Sequence, residues 1–217
     1  MSTTKRSAPL KVGLGCCVYS DPVGLQRLLD SVYLGLDRLI VVHTRYSHFP
    51  HEDPQSLSHT KAVCSRYPNI ELIALLKPTN QIEARTKYMR AAKDLDILIV
   101  LDSDEYIASD ANWDAFRENL QKAITYGPGC RVFDLYTAGP IGQSGARPRI
   151  FYKPSSIYYF SHHYWFIIKE TGRILKGASD SAYLVKGITI LHDKTFRTQE
   201  HFNGMLKYAN WQMTGEH

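Results

Sequence analysis

The chain has 217 residues, 44% hydrophobic and 22% charged, with 26 Lys and Arg against 21 Asp and Glu and a net charge of +5. That length and balance fit one soluble globular domain with a sizeable core and exclude a chain that is disordered over long stretches. No apolar run is long enough to span a bilayer, residues 1–9 lack a signal-peptide core, and the lone Lys5-Arg6 pair is too short for a nucleic-acid-binding run. The mild positive excess suits a solvated surface or a basic cleft for a phosphorylated ligand.

The first half alternates strands and helices. Residues 11–18 form a short apolar run, read as a buried strand. Within it Cys16 and Cys17 are adjacent, without zinc-ligand spacing, and read as small hydrophobes; with Cys64 and Cys130 they point to a reducing, cytoplasmic setting. Asp21 caps the next helix and Pro22 suits its first position. A second buried strand covers residues 39–42, and a loop rich in His and Ser follows. Asp53-Pro54 repeats the cap-plus-proline signal and opens a helix running to Tyr67. Residues 70–76 form a third strand. Asn80 and Glu83 have capping-box spacing for a helix ending near Lys93. Residues 97–101 form a fourth strand. Such alternation predicts a mostly parallel sheet flanked by helices, with ligands at the carboxyl ends of its strands.

The second half changes character. Residues 112–126 are an amphipathic helix with Trp113, Phe116, Leu120 and Ile124 on one face and Gly127 as its stop. Short β-rich stretches follow at residues 131–136, 149–152, 158–160, 164–168 and 188–191, then a helix over residues 198–213. The expected organisation is one domain, with a nucleotide-binding half over about residues 10–107 and an acceptor-binding half over about 108–217. The chain stops directly after a helical pattern, as a domain cut from a longer protein would.

The chemistry concentrates at the end of the fourth strand. Ile97-Leu98-Ile99-Val100-Leu101 leads straight into Asp102-Ser103-Asp104-Glu105. Three carboxylates so close repel one another unless something positive sits between them, and a divalent cation is a natural partner. Mg²⁺ or Mn²⁺ takes carboxylate and phosphate oxygens together. Alternate residues of a strand face the same side, so Asp102 and Asp104 are expected to converge on one site and Ser103 is not. A metal there would neutralise charge developing on a departing diphosphate.

Ala84-Arg85, Ala91-Ala92 and the run from Leu95 through Asp102-Ser103-Asp104-Glu105-Tyr106-Ile107 resemble family-two glycosyltransferases of the GT-A fold. The resemblance is to short members with Asp-x-Asp-Glu, some of which act on lipopolysaccharide-core sugars. It implies an α/β fold with a Rossmann-like sheet and a smaller β-rich acceptor region. It also implies that Asp104 contacts the metal and that Asp102 contacts the sugar nucleotide or an ordered water, with Asp102 counted beside Asp104 in the metal site. Ile190-Leu191-His192, Arg197-Thr198, Lys207 and Tyr208 resemble the family's closing pattern, in which His192 completes the metal site and Arg197 holds the diphosphate.

The donor-contacting set implied is Val18, Tyr19 and Ser20 after the first strand, with His43, Arg85, Asp102, Ser103 and Arg197. Relatives often carry an acidic residue that reads uracil where this chain has His43-Thr44-Arg45, so UDP is the default donor with TDP or GDP open. Relatives also place a catalytic acid where His163 stands here. The base is therefore His163 or Asp180, with Glu170 a further carboxylate. The rings Tyr158, Tyr159, Phe160, Tyr164, Trp165 and Phe166 suit either stacking on an acceptor sugar or a β-rich core.

The resemblance thus implies a metal-dependent, inverting glycosyltransferase of hexosyltransferase type. Its partners would be a nucleotide-sugar donor and a glycan or lipid-linked acceptor, with no nucleic acid and no transmembrane segment, though compatible with peripheral membrane contact. The other readings are a nucleotidyltransferase, which calls for a Gly-rich basic loop after the first strand, and a degenerate sugar-nucleotide-binding module.

Overall fold

Three buried strands and a half-buried edge strand, laid side by side in parallel, carry the first half of the chain. A computed structural model describes residues 9–47, 49, 52–127, 129–139, 144–161, 165–176, 183–192 and 203. In chain order the elements are β1 (Val12–Val18), α1 (Pro22–Val32), β2 (Arg38–His43), α2 (Ser56–Cys64), β3 (Ile70–Ala74), α3 (Gln81–Ala91), β4 (Ile97–Val100), β5 (Glu105–Ile107), α4 (Trp113–Tyr126), β6 (Val132–Ala138), β7 (Gly145–Tyr152), β8 (Ile157–Ser161), β9 (Trp165–Ile168), β10 (Ile174–Lys176) and β11 (Leu184–His192). One sheet of eight strands runs β3-β2-β1-β4-β7-β6-β11-β5, and a second of three runs β10-β9-β8. The pairs β3–β2, β2–β1, β1–β4 and β6–β11 are parallel. The pairs β4–β7, β6–β7 and β5–β11 are antiparallel.

Two hydrophobic layers flank the large sheet. On one face α1, α2 and α4 bury Leu25, Leu28, Val63, Phe116 and Leu120. On the other, α3 and the small sheet bury Ala84, Tyr88, Met89, Tyr159, Phe166 and Leu175. The GT-A-type α/β architecture expected from the sequence is present: a mostly parallel sheet between helices, with a smaller antiparallel sheet beside it.

The helix starts follow local chemistry. Asp21 accepts from the Gly24 N–H at 3.0 Å, with Pro22 at the first helical position. Asn80 accepts from the Glu83 N–H at 2.8 Å, and the Glu83 carboxylate takes the Thr79 hydroxyl. Asn112 caps α4 through the Ala115 N–H at 2.9 Å.

Some expectations change. α2 begins at Ser56 rather than directly after Asp53-Pro54: Asp53 accepts the Gln55 N–H at 2.9 Å and the Ser20 hydroxyl, and residues 54–55 form a turn that leads into the helix. β5 and β10 are three-residue strands with too little periodicity to read in advance. Residues 102–104 are a turn, so strand alternation does not set where their side chains go. The helix expected over residues 198–213 lies outside the described residues except at Asn203.

The topology aims six strand ends, those of β1, β2, β3, β4, β6 and β11, at one edge of the sheet. β11 needs one special residue to sit where it does. Gly187 has φ of 114°, and a Cβ there would come within 2.5 Å of the Phe116 backbone nitrogen in α4. Gly187→Ala should therefore lower unfolding free energy by more than about 1 kcal/mol, measured by urea denaturation. A stability equal to that of the parent would show that α4 and β11 do not pack this closely.

Candidate functional site

The acidic turn sits at the edge where those strand ends meet. Glu105 closes it on itself: its Oε2 accepts the Asp102 N–H at 2.9 Å, and its own N–H donates to the Asp102 carbonyl at 2.9 Å. Ser103 ties the turn to α1, donating to Asp21 Oδ2 at 2.6 Å. The first turn of α1 lies so close that a Cβ on Gly24 would come within 2.5 Å of the Ser103 carbonyl oxygen.

Two guanidiniums flank the turn. Arg85 of α3 is 2% exposed and donates to Asp102 Oδ1 at 2.8 Å. Arg149 of β7, also buried, donates to Glu105 Oε1 and stands 3.6 Å from Asp102 Oδ2. Burial works against the Arg85 charge, but Asp102 beside it more than offsets this and keeps the guanidinium firmly protonated. The repulsion among the three carboxylates is therefore relieved first by arginines. The positive charge expected beside these carboxylates is thus supplied in part by side chains of the chain itself. Arg149 was not singled out in the sequence; the one hint was an arginine placed directly before the buried Ile150-Phe151 of a strand.

The third acid has a different partner. Asp104 Oδ2 lies 2.9 Å from His192 Nε2, across 88 residues of chain. The sheet makes this contact: β5 runs antiparallel to β11, and His192 is the register partner of Glu105. Both motifs singled out in the sequence thus meet at one point.

A cavity of about 370 Å³ opens at the ends of β1, β2 and β3. Its floor is apolar, from Pro54, Leu57, Leu75 and Pro78, while Tyr19, His43, Arg45, Glu52 and Lys77 give it polar groups. Burial pushes the His43 imidazole below its usual pKa, and its Nε2 is 2.9 Å from Ser56 Oγ. The Ser56 hydroxyl also accepts the Ser20 N–H at 2.7 Å, with Ser20 itself in a left-handed conformation at φ 52°. A flat heteroaromatic ring suits such a slot, with apolar walls and a few oriented polar atoms.

The predicted residues therefore fall into groups. Asp102, Asp104, Ser103, Arg85 and His192 converge. Tyr19 and His43 line the neighbouring cavity, and Ser20 braces it. The Val18 side chain packs in the core. His163, Asp180 and Arg197 lie outside the described residues. Of the aromatic run, Tyr159 and Phe166 are core, which leaves them no part in stacking on an acceptor.

Among the described residues, no three His, Cys, Asp or Glu side chains are gathered to hold a metal ion. The donor chemistry fits one nonetheless. Asp104 and His192 already touch, and the Asp102 carboxylate, 36% exposed, stands at the rim. Magnesium-type sites commonly use one or two carboxylates and complete their shell with water and substrate phosphate.

No protein-family model matches the sequence, and no curated protein matches it. Solved structures do. S. aureus TarS 1-349 aligns over 93% of this chain and 65% of its own, with TM-score 0.50 and 14% identity. The same protein in complex with UDP-GlcNAc aligns over 88% and 60%, with TM-score 0.50 and 16% identity. A mannosyltransferase from Pyrobaculum calidifontis, in complex with GDP-Man and Mn²⁺, aligns at TM-score 0.45 and 14% identity over 61% of this chain, a likeness too loose to argue from. The chain spans less than two thirds of the length of the TarS structures. At these identities the likeness shows a fold shared with TarS.

Glu105 gives the site a pH signature. Burial raises its pKa from 4.5 to about 7, against the lowering pull of Arg149. Between those two values the folded chain keeps a proton that the unfolded chain has released. Stability from this group therefore falls as pH rises through that window and levels off above it. Glu105→Gln should flatten this part of a plot of melting temperature against pH. Parallel curves for variant and parent would refute the assignment.

Proposed function

We propose that the chain is a metal-dependent glycosyltransferase. It would move a sugar, of hexosyl type, from a nucleoside-diphosphate donor to a hydroxyl of a glycan or lipid-linked acceptor, with inversion. The observation that carries this reading is the Asp104–His192 contact, which joins the acidic turn to the end of β11 beside a ring-sized cavity. The complex of TarS with UDP-GlcNAc supports a nucleotide-sugar donor for this fold. Four free cysteines suit a cytoplasmic setting.

The cavity lined by Tyr19 and His43 would take the base, with UDP the default and TDP or GDP open. Asp104 and His192 would hold Mn²⁺ or Mg²⁺, with His192 neutral. When bound, the ion would offset charge developing on the departing diphosphate. Asp102, gripped by Arg85 and Arg149, offers a fixed acceptor for a donor hydroxyl. Arg197 would meet the diphosphate, and His163 or Asp180 would take the acceptor proton.

A nucleotidyltransferase fits less well. The N-terminus of α1, where a phosphate would rest, is filled by the buried Asp21 carboxylate. A degenerate binding module would bind donor without turnover.

A panel of nucleotide sugars tested by thermal shift, with and without Mn²⁺, checks the donor and the metal together. One should stabilise the chain more with Mn²⁺ present. Asp104→Ala and His192→Ala should each weaken that metal-dependent binding by at least about tenfold. If both variants shift like the parent, the metal site is wrong. For the base, His163→Ala or Asp180→Asn should cut kcat by about 10²–10⁴ while keeping the donor-induced shift. If neither does, the proton goes elsewhere.

A further inference from the structure

The charge of this chain is not spread evenly. Residues 135–176 hold six Lys and Arg and a single acid, Glu170, a net charge of +5 that equals that of the whole protein. Outside them 20 basic residues are matched by 20 acids. That stretch contains β7 and the whole three-stranded sheet; Arg149 of β7 is buried against Glu105, so the charge that can face outward comes from the other five basic residues.

The small sheet has two apolar faces where one would suffice for folding. Ile157, Tyr159, Phe166, Ile168 and Leu175 point inward and are buried. By strand alternation Tyr158, Ile167 and Ile174 lie on the other face, directly across from one another on three strands. Trp165 shares that face, and the pairing shifts beside Phe160, as at a β-bulge. Phe160 is 49% exposed and Ile174 42%. Lys169 and Arg173 are exposed in the turn joining β9 to β10, and Lys153 is exposed just before β8. An outward sheet face in water is ordinarily polar.

We infer that the outward face of the three-stranded sheet docks on an anionic lipid bilayer. Tyr, Trp and Phe beside aliphatic side chains suit the headgroup–acyl boundary, and the basic rim is drawn to negative headgroups. Apolar burial and charge attraction are the two signals that stable peripheral attachment needs. Nucleic acid fits less well, because Ile167 and Ile174 hold the middle of the face and make no contact a phosphate can use.

The placement has a use. The inner face of the same sheet rests on α3: the Tyr88 hydroxyl donates to that of Tyr159 at 3.1 Å, and the Arg85 guanidinium lies 5.5 Å over the Tyr159 ring. A bilayer against the outer face would thus lie one strand layer from the residues that grip Asp102. Docking stands apart from the transferase reading; only its service to a lipid-linked acceptor rests on that reading.

Sedimentation of the full chain with vesicles tests this. Vesicles of phosphatidylcholine mixed with phosphatidylglycerol should bind it, and phosphatidylcholine alone should bind it far less. Lys169→Ala and Arg173→Ala, both at exposed positions that leave folding intact, should each weaken binding roughly fivefold. Ile174→Asp should weaken it further, while the nucleotide-sugar thermal shift stays as in the parent. That shift separates failure of docking from failure of the donor reading. No binding, equal binding to both vesicles, binding unchanged in the variants, or binding to RNA in place of vesicles would each overturn the proposal.

Discussion

Arg85 and Arg149 are both buried, and an arginine stays charged wherever it is placed, so each must find a carboxylate or forfeit several kcal/mol of hydration. Asp102 answers Arg85, and Glu105 answers Arg149, with Asp102 close to both. These contacts lock α3, the acidic turn and β7 together. Removing one partner of such a set typically costs about 3–5 kcal/mol because it strands the other charge. The turn can therefore have only one shape while the rest of the chain is folded.

That shape gives Asp104 a different partner. Asp102 and Glu105 are occupied by guanidiniums and Ser103 by Asp21, which leaves Asp104 beside His192 at the crevice. The four residues of one short motif thus divide structural and chemical roles among themselves. The order of strands does the rest. Because β5 turns back against β11, the end of the last strand returns to the start of the acidic turn, and because β1, β2 and β3 are parallel, the cavity opens on the same edge.

The two halves of the chain also differ in kind. Residues 1–134 carry 16 basic and 16 acidic side chains, while residues 135–217 carry 10 basic and 5 acidic. A balanced first half suits local ion pairs, such as Arg38 with Glu71 and Asp94. A positive second half suits a charged surface outside the protein. The Arg85–Tyr159 contact is one place where the two halves touch, since one guanidinium serves Asp102 and lies over a ring of the small sheet.

The sequence by itself determined much of the fold, because the signals are local. Asp21 and Asn80 cap helices through N–H groups three residues away, and the runs 11–18, 39–42 and 97–101 are apolar enough to demand burial. It also pointed to Asp104 and His192, since each follows an apolar run in a pattern that resembles the GT-A family. It did not reveal that residues 102–104 turn, or that Arg149 reaches Glu105 across 44 residues. Those depend on which strands become neighbours, and a three-residue strand such as β5 exists only because β11 is there to pair with it. Periodicity marks which faces are buried. Which buried charge meets which was decided by the tertiary structure alone, because a guanidinium is satisfied by whatever carboxylate the packing brings within reach.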